Sequence, residues 1–145
     1  MEYFLSTPPF GRKQDMVKIQ SLVTLIQGTS LSSKDLPSDE FYPLISAKDA
    51  KHFYVLSREA KFCRYGTLDA EKAKGKIVVC LEDELFGIPN VGADAEVSSA
   101  GAVGMILASD YKSFYDFTAY PHVLPTSHVN YSDGQYIYSY IQSEK

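Results

Sequence analysis

The sequence predicts one small domain of mixed α/β (α+β) class, and three features carry that reading. Two continuous apolar runs, Lys76-Ile77-Val78-Val79-Cys80-Leu81 and Val103-Gly104-Met105-Ile106-Leu107-Ala108, have the length of strands buried on both faces. Each follows a short helical pattern closed by a glycine, Gly75 and Gly101, which is the order of a βαβ step with parallel strands. The chain of 145 residues has the size of one domain and is long enough to bury a real core.

The elements follow in order. Pro8, Pro9 and Gly11 interrupt regular structure, and Arg12-Lys13-Gln14-Asp15 is a short solvated charge cluster. Residues 1–20 therefore read as an irregular arm, with the domain proper over 21–145. The apolar run Ile19 to Ile26 reads as a strand, ended by Gly28 and the polar stretch Thr29 to Asp39. Phe41 to Ile45 is a second short strand. Its Pro43 has no N–H, which places it at a sheet edge or where the chain first joins the sheet. Ala47 to Ala60 carries charges on several sides and reads as a long loop with one helical turn.

Thr67 or Asp69 can cap a short helix over Ala70 to Lys74, and Gly75 supplies its left-handed stop before the first apolar run. Beyond the acidic Glu82-Asp83-Glu84 and the breakers Gly87, Pro89 and Gly92, Ala93 to Ala100 is a second short helix ending at Gly101. The second apolar run follows it. Asp110 to Pro121 is a loop rich in tyrosine and phenylalanine, and His122 to Val129 is a third strand. Ser132 or Asp133 caps a final helix through Gln142, with Tyr136, Ile137, Tyr140 and Ile141 on one face.

Composition excludes several classes. Hydrophobic residues make up 45% and charged residues 22%, ordinary globular usage that argues against wholesale disorder. The net charge of −4 argues against a general nucleic-acid binder. No apolar run approaches the roughly 20 residues that span a bilayer. The opening MEYFLSTPPFGRKQ lacks a basic region followed by an apolar one, so it does not read as a signal peptide. With 11 Tyr and 8 Phe, the chain is suited to half-buried strands and interfaces.

Catalytic chemistry is hard to assemble from this chain. His122 and His128 project to one face of a predicted strand, yet lie about 20 Å apart at full extension, too far for one metal ion. Together with His52 they read as strand-end or hydrogen-bonded histidines, and no metal or cofactor site is expected. There is no G-x-S-x-G elbow. Cys80 lies inside an apolar strand, where a thiolate would be desolvated and inert. The carboxylates at Glu82 to Glu84 read as a solvated loop, and Gly92, Gly101 and Gly104 fall in no phosphate-binding spacing. Cys63 and Cys80 permit either one disulfide or two buried thiols. Asn130-Tyr131-Ser132 is an N-glycosylation triplet in a strand-to-helix turn.

Four stretches, in order and register, add a family. They are C-x-x-G-T-L-D from Cys63, K-G-K-I-V-V-C from Lys74, A-G-A-x-G-M-I-L from Ala100, and H-V-L-P-x-S-H-V-N-Y from His122. Residues 28–145 together resemble the protease-associated (PA) domain inserted in plant subtilisin-like serine proteases. The resemblance implies a small β-sheet assembly flanked by short helices. It implies a non-catalytic module governing substrate access or protein–protein contact, its partners being the parent catalytic domain, a substrate or a second copy. It pairs Cys63 with Cys80, matches Asn130 to a common glycosylation position, and implies an extracellular or vacuolar location. The motifs that would carry a catalytic Asp, His and Ser are absent from this chain, so it should be inactive alone. Phe114, Tyr115, Phe117 and Tyr120 are the candidate interaction surface. The alternative is a luminal PA domain of a sorting receptor or transmembrane ubiquitin ligase, acting in cargo recognition.

Overall fold

A computed structural model describes residues 2–6, 13–19, 24–30, 34, 36, 41–82, 92–109 and 121–143. Seven strands close into a barrel: β1 (Glu2–Ser6), β2 (Lys13–Ile19), β3 (Thr24–Ser30), β4 (Tyr42–Ser46), β5 (Ile77–Glu82), β6 (Gly104–Ser109) and β7 (Thr126–Val129), in the order β1-β2-β3-β7-β6-β5-β4. The four strands β4 to β7 run parallel, with Ile77 opposite Gly104 and Met105 opposite Thr126. The first three strands are antiparallel to their neighbours and close the barrel between β4 and β7.

The two apolar runs form the middle of the parallel sheet, as their composition requires. Alternate residues of β5 face opposite ways and both sets are buried. Ile77, Val79 and Leu81 share one core with Ile106, Ala108 and the helix α5 (Tyr131–Ser143), while Val78 and Cys80 share the other with Met105 and Leu107. Removing each such side chain from water contributes roughly 1.5–3 kcal/mol. The second face is covered by α1 (Ala47–Ala50), α3 (Ala70–Ala73) and α4 (Ala93–Ser99), while α2 (Ser57–Ala60) packs beside α1. Alanines dominate these short helices, so they lie close to the sheet.

Local signals explain most boundaries. Asp69 caps α3, accepting the backbone N–H of Glu71 at 3.0 Å, and Gly75 turns the chain at φ 73°. The Gly75 N–H then donates to the Gly101 carbonyl at 3.0 Å, so the two glycine stops tie the starts of β5 and β6 together. Pro43 is the second residue of β4, where the chain joins the sheet. At Gly134 in α5, an added Cβ would stand 2.7 Å from the Ala108 Cβ. Glycine there lets the helix settle directly on β6.

The structure differs from the sequence expectation in five places. Residues 1–20 are not an irregular arm, because they contain β1 and β2, paired with Tyr3 opposite Ile19. The Pro and Gly breakers fall between these strands, which is the punctuation of two strands rather than the dissolution of both. The run Ile19 to Ile26 is not one strand: Ile19 ends β2 and pairs with Thr24, which begins β3, and β3 continues through Gly28 to Ser30. Residues 47–60 hold two short helices instead of a loop with one turn. The third strand covers only Thr126–Val129. The final helix is capped by Asn130, whose Oδ1 accepts the Asp133 N–H at 2.8 Å, and not by Ser132 or Asp133.

Candidate functional site

Two turns stand side by side at one end of the helical face. The backbone closes the first between His52 and Val55 and the second between Arg64 and Thr67. The His52 N–H donates to the Thr67 carbonyl at 3.1 Å, and a β-bridge pairs Lys51 with Leu68. Three further ties hold the second turn. Cys63 is joined to Cys80 of β5 by a disulfide, with Cα atoms 5.7 Å apart. The Leu81 N–H donates to the Lys61 carbonyl at 2.7 Å. Glu96 of α4, only 6% exposed, accepts the N–H of Gly66 at one carboxylate oxygen and that of Leu68 at the other, both at 2.9 Å. A buried carboxylate stabilised by two backbone donors is a rigid brace.

On this braced base stand large apolar side chains turned to solvent. Phe53 is 90% and Tyr65 96% exposed, with Tyr54 and Leu56 also largely in water. The Tyr54 ring stacks on His52 at 5.1 Å and meets Phe53 edge-on at 5.3 Å, so the three rings are mutually ordered. Arg58 and Arg64 flank them, sharing Glu59 at 3.8 and 2.9 Å, exposed pairs that hold little energy and leave a tyrosine-, phenylalanine- and arginine-rich surface. Those residue types dominate the energetic centres of protein interfaces. Sequence analysis did not find this surface. The run His52-Phe53-Tyr54-Val55-Leu56 has neither helical nor strand periodicity and lies between charged residues, and its exposure depends on the tertiary ties just described.

Beneath α4 lies a second polar array. The chain bends at Val123-Leu124 before β7 begins, so His122 and His128 do not lie about 20 Å apart on one strand. Their Nε2 atoms meet at 2.8 Å. Asp94 lies 3.5 Å from His122 Nδ1 and accepts the Val123 N–H at 2.9 Å. Burial holds His128 down to about 4, with the neighbouring His122 adding to it. Burial also lowers His122, and Asp94 partly opposes that shift. Asp94 and His122 supply the carboxylate–imidazole half of a catalytic relay. The Nε2 that would deprotonate a hydroxyl is instead occupied by a second imidazole, in a layer where His128 is 1% exposed. Among the described residues, no cluster of three metal-ligating side chains occurs.

Of the predicted site residues, Phe114, Tyr115, Phe117 and Tyr120 lie outside the described residues. Asn130 is exposed at the start of α5, and its Nδ2 donates to Asp133 Oδ2 at 2.8 Å. Burial raises the Asp133 carboxyl, against the opposing effect of that hydrogen bond.

A closed seven-strand barrel with a parallel half and flanking short helices is the class of small α/β module these residues build. The PA domain family matches residues 41–137, and the chain belongs to that family. It is 41% identical over 119 residues to the subtilisin-like protease SBT5.4 of Arabidopsis thaliana, covering 82% of this chain and 15% of that protein. Similarity to the Arabidopsis subtilisin-like protease SBT5.3 is 36% over the same shares. A subtilisin-like protease of Glycine max, Glyma18g48580, is 40% identical over 70% of this chain and 12% of its own length. The chain thus spans about one seventh of the relatives it matches. Among solved structures, BSAP, a zinc aminopeptidase from Bacillus subtilis, superposes with a TM-score of 0.51 over 94% of this chain and 28% of its own, at 17% identity, a likeness of fold. No helix among the described residues is long and apolar enough to cross a membrane.

Proposed function

We propose that this chain acts as the non-catalytic PA module of a subtilisin-like serine protease, working through protein–protein contact. The observation that carries the reading is the aromatic surface at Phe53, Tyr54, Leu56 and Tyr65, held out on a base fixed by the Cys63–Cys80 disulfide and the Glu96 carboxylate. Mutual stacking of the His52, Tyr54 and Phe53 rings lowers the ordering cost these side chains would pay on docking, which favours recognition. The partner is the protease body to which such a module belongs, with the substrate or a second copy as further candidates. Phe114, Tyr115, Phe117 and Tyr120 remain a second candidate contact, proposed from the sequence alone. The receptor and ubiquitin-ligase alternative is not favoured, because the matched relatives named above are proteases.

A disulfide in the core is at home in an oxidising compartment, which supports an extracellular or vacuolar location. Asn130, exposed within its triplet, is the proposed glycan acceptor. The test pairs two measurements. The 145-residue chain should give no labelling with a serine-directed activity probe. It should also co-purify with the catalytic portion of a plant subtilisin-like protease, and the double variant Phe53→Ser/Tyr65→Ser should lose that association. Probe labelling, or association unchanged in the variant, overturns the reading.

A further inference from the structure

We propose that Asp94, His122 and His128 form an acid-released latch, fastening the 121–125 turn and α4 to β7 at the closing seam of the barrel. Among the described residues, two backbone donors tie the turn to its neighbours, and Leu124 is buried in the core of the helical face. The Met105 N–H donates to the Pro125 carbonyl at 2.9 Å, and the Val123 N–H reaches Asp94 at the first turn of α4. The contact that spans the remaining gap is the 2.8 Å approach of the two imidazoles. Its position matters because His128 is also the residue at which β7 pairs with β3, opposite Thr29.

The chemistry of the pair sets its direction. Only one hydrogen fits between two nitrogens at this distance, so one imidazole donates and the other accepts. With Asp94 facing His122 Nδ1, the network assigns the Nδ1–H tautomer to His122 and leaves its Nε2 to accept from His128. A proton added to the pair is a charge in a buried layer, and a second places two N–H groups face to face. Among the described residues packed around the array, Asp94 supplies the counter-charge. It comes from α4, whose Glu96 is directed instead to Gly66 and Leu68. The register partner on β6 is the apolar Leu107, and that on β3 is Thr29. The two histidines face each other, and no other charged group is recorded at the array among the described residues.

The sign of the pH effect follows from the burial of both rings. Their affinity for protons is lower in the closed state than in an open one, where an imidazole titrates near 6.5. The closed state is therefore fully favoured above pH 6.5 and loses ground as pH falls toward about 4. For His128 alone, the opening equilibrium rises about 20-fold between pH 7 and pH 5.

Hydrogen–deuterium exchange of the full chain tests this, with rates corrected for intrinsic chemistry and the β5 amides as internal reference. Opening of residues 121–129 should rise about 20-fold over the reference between pH 7 and pH 5, and His128→Gln should remove that excess. If the variant does not fold, imidazole ¹⁵N titration of the unmodified chain decides alone. Coupled titration of His122 and His128 below pH 6 supports the latch. Independent titration of either near 6.5, or exchange at 121–129 that tracks β5 at every pH, overturns it.

Discussion

Replacing Glu96 by alanine tests how the aromatic surface is held. The carboxylate accepts two backbone donors, Gly66 and Leu68, each at 2.9 Å. A hydrogen bond to a charged group contributes roughly 1.5–3 kcal/mol net, and a buried donor left without a partner forfeits its solvation as well. The two bonds are not equal. Gly66 is exposed and its N–H can turn to water, whereas Leu68 is buried and its N–H cannot. Most of the loss therefore falls on Leu68, offset in part because a buried charge no longer has to be desolvated. The expected destabilisation of Glu96→Ala is about 2–4 kcal/mol in urea unfolding monitored by circular dichroism, with the disulfide intact. Glu96→Gln keeps one acceptor and turns an amide NH₂ toward the other N–H, so it should fall between wild type and alanine. Wild-type stability for Glu96→Ala would refute the reasoning and show that the disulfide and the backbone ties to Lys51, His52 and Leu81 hold this region without the carboxylate.

Gly134→Ala should lower the melting temperature, because the new Cβ meets the Ala108 Cβ at 2.7 Å, and overpacking of about 1–3 kcal/mol outweighs the roughly 1 kcal/mol gain in helix propensity. Cys63→Ser/Cys80→Ser opens a loop of sequence separation 17 and should cost about 3 kcal/mol, read as a shift in denaturant midpoint that reducing agent reproduces in the wild type. Asn130→Ala should destabilise α5 by about 1 kcal/mol through loss of its cap, whereas Asn130→Asp keeps the cap while removing any glycan. Mobility on gels after expression in a secreting host separates the two effects. Phe53→Ser should leave the unfolding free energy within about 0.5 kcal/mol of wild type, since its ring is in water; a larger loss would mean that it packs against the domain.

The middle strands β5 and β6 were legible because they are buried on both faces and must be apolar nearly throughout. The glycine stops and the Asp69 cap were legible because one residue decides each. β1 and β2 were not. Lys13 to Ile19 carries Lys13, Asp15 and Lys18 among its seven residues, and its strand character comes from partners on β1 and β3 rather than from its own composition. The histidine pair failed for a geometric reason: strand spacing was extended through Val123-Leu124, where the chain bends before β7 begins. Asn130 was read for its triplet and not as a cap, although asparagine serves both roles. The aromatic surface was invisible for a general reason. A lone phenylalanine defaults to the core, and nothing local distinguishes one that a disulfide and a distant carboxylate hold outside it.

The pairing of Thr29 with His128 joins positions separated by about a hundred residues, so it ranks among the slowest contacts for a chain to find. On a ribosome, β3 must wait with one rim unpaired until β7 emerges. During that interval the nascent protein presents two open strand edges to every neighbour. Closing the cylinder is therefore a late step in the folding of these strands. A cell making this polypeptide in quantity would depend on chaperones to shield those edges until the last strand arrives.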